Sequence, residues 1–109
     1  NPSYEYRLKT LAMLIHLQQE RIQIIQEKFR RTAQQSYKQS ISEDMYFLDE
    51  DDPDDYYFWV TFKQERIQKY TKVLDDLTKK LQNCNREYQD LLIQVLSTRE
   101  HARNLSFLL

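Results

Sequence analysis

From Leu8 onward the apolar positions fall at Leu8, Leu11, Ile15, Ile22, Ile25 and Phe29, with the polar Gln18 in the one remaining slot, so that every step is three or four residues. That spacing keeps side chains on one face of an α-helix and predicts a first helix over residues 1–39. Leu14, Leu17 and Ile24 fall beside the stripe and read as a shoulder that widens the buried face. A second run of the same kind holds Val60, Ile67, Tyr70, Leu74, Leu77, Leu81, Cys84, Tyr88, Leu91 and Val95. It alternates three and four without a miss from Ile67 to Val95 and continues less cleanly through Ala102, Leu105 and Leu109. Four consecutive heptads are the pattern of a coiled coil, and they predict a second helix over residues 53–109.

Between the two runs the periodicity stops, and residues 40–52 read as a linker loop. Its end is a helix start: Asp52 suits the N-cap, Pro53 the first helical position, and Asp54 and Asp55 the positive end of the helix dipole. The fold class that follows is all-α, two long helices forming an antiparallel hairpin or coiled coil with an acidic connecting loop. Composition agrees. The 109 residues contain no glycine, where average usage of about 7% would supply roughly eight. Hairpin turns and bulges of sheets depend on glycine, whereas helices do not.

Folding back about the middle of the loop would place residues whose numbers sum to about 91 opposite one another. The first helix, about 54 Å long, would then run out opposite residues 87–90 of a second helix of about 75 Å. Leu91, Leu92, Ile93, Val95, Leu96, Leu105, Phe107, Leu108 and Leu109 would be left without cover, which predicts a second copy of the chain or another helical protein seated on them, with Leu91, Leu92, Val95, Leu96 and Leu105 as the main contacts. Gln18 in the seam is the residue expected to fix register or oligomeric state, at some cost in stability.

Charge divides the chain into three. Residues 1–39 carry a net +4, residues 40–55 hold eight acids and no base, and residues 56–109 carry a net +3. In a hairpin, Lys28, Arg30, Arg31, Lys63 and Arg66 gather near the loop end, and the nearby acids are expected to neutralise them at short range. The competing expectation is an electrostatic surface for nucleic acid or an anionic membrane. Tyr56, Tyr57, Phe58, Trp59, Val60 and Phe62 point all around the start of the second helix, so that some close the end of the hairpin and others, Tyr57, Phe58, Trp59 and Phe62 among them, are candidates to meet a partner. Met45, Tyr46, Phe47 and Leu48, set between acids, are either a recognition element or residues tucked onto the helices, and Ser40 and Ser42 stand where added phosphate would deepen the negative charge. The pentapeptide Gln-Glu-Arg-Ile-Gln occurs at residues 19–23 and 64–68; it is either a pseudo-repeat whose copies a hairpin would bring near each other or, the favoured reading, a chance recurrence among helix-forming residues.

Chemistry has little to rest on. His16 and His101 belong to different helices, Cys84 lies in the seam as a small apolar residue, and no pairs have metal-ligand spacing. An EF-hand reading from Asp49 fails, since Asp54 stands where glycine is required and Val60 where glutamate belongs. We therefore expect no catalytic, cofactor or metal site and no small-molecule substrate. The lone cysteine and the absence of a long apolar run suit an intracellular chain, and a start at Asn1 suits a fragment of something longer. The function expected is a protein–protein interaction or scaffold module that oligomerises or binds a helical partner through its seam.

Overall fold

A computed structural model describes residues 2–108. The chain is all-α, with α1 over Pro2–Gln34, α2 over Tyr37–Glu43 and α3 over Pro53–Leu108, and no strand among the described residues. The long helices α1 and α3 pack against each other as a helical hairpin. Two compact units divide the chain, one of residues 1–21 and 77–109 and the other of residues 22–76.

In the first unit the heptad stripes meet as their spacing requires. Leu11, Leu77 and Val95 are buried and Leu8, Ile15, Leu81, Cys84, Tyr88 and Leu91 are half-buried. Leu11 is the deepest, at 0% exposure. Two ion pairs run across the helices in antiparallel order. Arg7 donates from Nε and Nη2 to Oε1 and Oε2 of Glu87 at 2.9 and 3.0 Å, and Arg99 Nη2 donates to Glu5 Oε1 at 3.1 Å. Both pairs are exposed, so each contributes only about 0.2–1 kcal/mol and serves alignment more than stability.

Gln18 is buried in the same seam, at 6% exposure, and its Oε1 has no hydrogen-bond partner. A buried acceptor left without a donor costs on the order of 1–3 kcal/mol. Gln18→Leu, close in volume and free of that orphan atom, is expected to raise the urea midpoint by an amount equal to about 1–2 kcal/mol. An unchanged or lowered midpoint would show that the amide is satisfied in solution.

The second unit contains the reversal, and here the chain departs from the expected boundaries. The first helix does not run to residue 39. It stops at Gln34, and Ser36 opens a separate short helix through a capping box in which Gln39 N–H donates to Ser36 Oγ at 3.1 Å and Ser36 N–H donates to Gln39 Oε1 at 3.0 Å. Residues 40–43, expected in the loop, are therefore helical. The start of α3 at Pro53 is as expected, with Asp52 Oδ1 accepting from Asp54 N–H at 2.9 Å.

Acidic side chains build the turn between α2 and α3. Asp49 Oδ1 accepts from Asp51 N–H at 2.9 Å and Asp55 Oδ2 accepts from Asp49 N–H at 2.8 Å, so carboxylates hold the backbone where glycine would otherwise relax it. None of the described residues has a positive φ.

Because α2 carries the chain onward before it turns, the reversal is centred later than residue 45. Within residues 22–76, Lys63 Nζ donates to Gln35 O at 3.2 Å and Trp59 Nε1 donates to Ser40 Oγ at 2.8 Å, pairs whose numbers sum to 98 and 99. In the other unit Arg7 with Glu87 and Glu5 with Arg99 sum to 94 and 104. All exceed 91, so the expected loss of cover at residues 87–90 is corrected: Val95 is buried, Leu91 and Leu92 are half-buried, and continuous exposure begins at Leu96 and runs through Ser106. The part of the expected overhang at residues 107–109 lies outside the residues whose side chains are described.

Candidate interaction surfaces

Two surfaces stand out, one in each unit. The first is on the outer side of the hairpin in residues 2–21 and 77–108. Tyr6 and Met13 are 74% and 73% exposed, and Leu17 is exposed with them. At 100° per residue these three share a face of α1 nearly opposite the seam. Leu17, read from sequence as a shoulder of the buried face, is corrected to this outer stripe, as is Ile24, which is exposed within residues 22–76 and keeps the same steps of four and seven. On α3, Ile93 and Leu96 are likewise exposed, and Leu105 follows at 49%. Val95, counted from sequence among the residues free for a partner, is instead used inside the hairpin.

The second surface is at the reversal. Its foundation is a plug of aromatic rings. Trp59 is buried with Leu48 and Ser40, and Tyr37 packs its ring against Tyr56 at 5.3 Å, edge-on, and against Trp59 at 5.4 Å. Tyr37 Oη donates to Asp49 O, while burial and the carboxylates of Asp55, Asp49, Asp52 and Glu50 push its phenol above the ordinary range. Trp59, expected as a partner residue, is thus corrected to a structural one, because its indole N–H has a buried acceptor in Ser40.

Tyr57, Phe58 and Phe62, by contrast, remain exposed. Phe58 and Phe62 stack at 6.2 Å, the guanidinium of Arg66 lies 5.1 Å over the Phe62 ring, and Arg66 Nη1 donates to Tyr70 Oη at 3.1 Å. This ladder runs at i, i+4 spacing along one face of α3. Lys63 stands beside it, 5.0 Å over Trp59. A groove of about 480 Å³ lies against the ladder, lined also by Met45 and Phe47, and a more polar cleft of about 590 Å³ adjoins it and is lined by Lys28, Arg31 and Arg66.

The basic cluster is only partly neutralised. Arg30 pairs with Glu27 and donates to Gln34 Oε1 at 2.9 Å, a pairing that lowers the Glu27 pKa and raises that of Arg30. Lys38 approaches Glu50 at 4.0 Å. Asp49, Asp52 and Asp55 bond backbone N–H groups nearby, Glu43 and Asp44 accept from Gln35 Nε2, and none of Lys28, Arg31, Lys63 and Arg66 makes an ion pair with the acids of the reversal. Pairing by the loop carboxylates, as expected from sequence, is therefore not seen at these four residues.

The half-buried Ile22, Ile25, Phe29, Ile67, Tyr70 and Leu74 form the seam of residues 22–76, as the heptads require. The two Gln-Glu-Arg-Ile-Gln copies are offset by the later register and do not face each other. Among the described residues no three His, Cys, Asp or Glu side chains are grouped to hold a metal ion, and no helix is long and apolar enough to cross a membrane. The architecture is that of an all-α helical hairpin. The chain matches no protein-family model, no curated protein and no solved structure at a significant level.

Proposed function

We propose that this chain is a non-enzymatic helical interaction module that assembles with a second copy of itself, or with another helical protein, and so holds chains together as a scaffold. The observation that carries this reading is the outer stripe of Tyr6, Met13 and Leu17, apolar positions at helical spacing that the seam leaves in solvent. Seating a helix on it removes from water side chains each worth about 1.5–3 kcal/mol when fully buried. The single half-buried cysteine, Cys84, suits a reducing intracellular compartment.

Electrostatic binding of nucleic acid or an anionic membrane is the weaker reading. Lys28, Arg31 and Arg66 line a cleft, yet Glu43 and Asp44 line it with them, so a continuous polyanion laid along it meets fixed negative charge.

Light scattering with cross-linking separates the cases. The chain is expected to run as a dimer or larger. Met13→Glu with Leu17→Glu should run as a monomer with unchanged far-UV circular dichroism, because both positions face away from the seam. A chain that is monomeric at high concentration, or variants that assemble as the parent does, would sink self-assembly through this stripe.

A further inference from the structure

We propose that the groove at the reversal docks an acidic amphipathic helix from a protein partner. The site lies wholly within residues 22–76 and is independent of assembly through the outer stripe.

Three observations specify the occupant. The floor is apolar and open: Phe47 is 73% exposed, and Phe58 and Phe62 present their stacked rings beside it, although buried Trp59 a residue away shows that this region can enclose an aromatic ring. Large exposed aromatics grouped around one groove are the composition of an interface core. Spacing then selects a helix. Phe58, Phe62, Arg66 and Tyr70 recur every four residues, about 6 Å apart along α3, which matches the i, i+4 ridge of an opposing helix of about three turns. No exposed sheet edge is present among the described residues to receive an extended strand.

Charge selects acidic flanks. Arg66 borders both the groove and the adjoining cleft, Lys63 stands on the groove wall, and Lys28 and Arg31 line the cleft; none makes a direct ion pair, although Arg31 lies near enough to Glu27 to help lower its pKa. Arg66 is held flat by Phe62 and Tyr70, so its fork is ordered before a carboxylate arrives. A continuous polyanion fits less well. Glu43 and Asp44 stand at the rim, both accepting from Gln35 Nε2 at 3.2 and 3.1 Å, and a phosphate chain laid along the cleft would meet them. A peptide helix can place its carboxylates beside the arginines and lysines and keep an uncharged side chain against the rim.

Selection from a random peptide library displayed against the intact chain tests this. Enriched sequences should carry apolar residues at i, i+3 or i+4 with flanking Asp or Glu. Synthesised, they should shift the emission of Trp59, the single tryptophan and a lining residue of the groove. Arg66→Glu and, separately, Phe62→Ser should each weaken binding roughly tenfold with circular dichroism unchanged. The proposal is overturned by an absence of enriched sequences, by enrichment of basic or uncharged ones, or by binding that both variants retain. Tighter binding of a single-stranded oligothymidine than of any selected peptide also overturns it and assigns the groove to nucleic acid.

Discussion

Trp59→Ala is expected to destabilise residues 22–76 by about 3–5 kcal/mol, the range for removing a large buried aromatic side chain. Two losses combine. The indole leaves a cavity between Tyr37, Tyr56 and Leu48, and its N–H no longer reaches Ser40 Oγ, which belongs to a residue only 2% exposed. Trp59→Phe lessens the first loss, since it keeps a smaller ring in the plug while removing the donor, and should cost less than Trp59→Ala but at least the roughly 1–3 kcal/mol of a buried hydroxyl left unbonded. Because Ser40 is in α2, the damage should appear first there. Amide exchange of residues 37–43 should accelerate in both variants, and a urea midpoint for Trp59→Ala within about 0.5 kcal/mol of the parent would contradict the plug.

Leu11→Ala is expected to cost about 3 kcal/mol, the largest single-residue loss in the other unit. Leu11 is, among the described residues, the one large side chain there with no exposure at all, and a seam between two helices has few further layers that can collapse into the gap. Met13→Ala, two residues away and turned outward, is the control. It should leave unfolding of the dilute monomer nearly unchanged while weakening assembly, so the two variants distinguish residues that hold the hairpin from residues that hold its partner. Equal effects of the two on monomer unfolding would refute that division. Leu11→Ala combined with Trp59→Ala then reads cooperativity: one transition shifted by the sum of the two means the units unfold together, and two transitions mean they do not.

The seam was legible because it rests on spacing alone. Each heptad residue from Leu8 to Phe29 and from Ile67 to Val95 is at least half-buried, including the polar Gln18, and the Asp-Pro start of α3 was equally plain. Spacing does not say which of two stripes is covered. Tyr6, Met13, Leu17 and Ile24 share a face of their own, and reading Leu17 and Ile24 as a shoulder of the seam missed the outward stripe to which Tyr6 and Met13 also belong. The break at Gln35 also had a signal, since Ser36 followed three residues later by Gln39 is a capping-box pattern, and its neglect displaced the register by about two turns. The groove had no such signal. Phe47 and Phe62 come together only through the path of the turn, and three of the acids expected to neutralise the nearby cations, Asp49, Asp52 and Asp55, accept from backbone N–H groups instead.

The absence of positive φ in the reversal has a consequence for how this sequence can change over generations. A turn that needs a left-handed backbone is tied to glycine or asparagine at a fixed position, and its descendants carry that residue as a mark. Here the bend is set by short side chains that accept backbone hydrogen bonds, a role that Asp, Asn, Ser and Thr can exchange. Asp49, Asp52 and Asp55 are therefore free to change identity and charge within that set while the hairpin persists, whereas the buried Leu48 between α2 and α3 is not. The inherited mark of this fold is the bonded pair of Ser40 and Trp59, whose members should be replaced together or not at all.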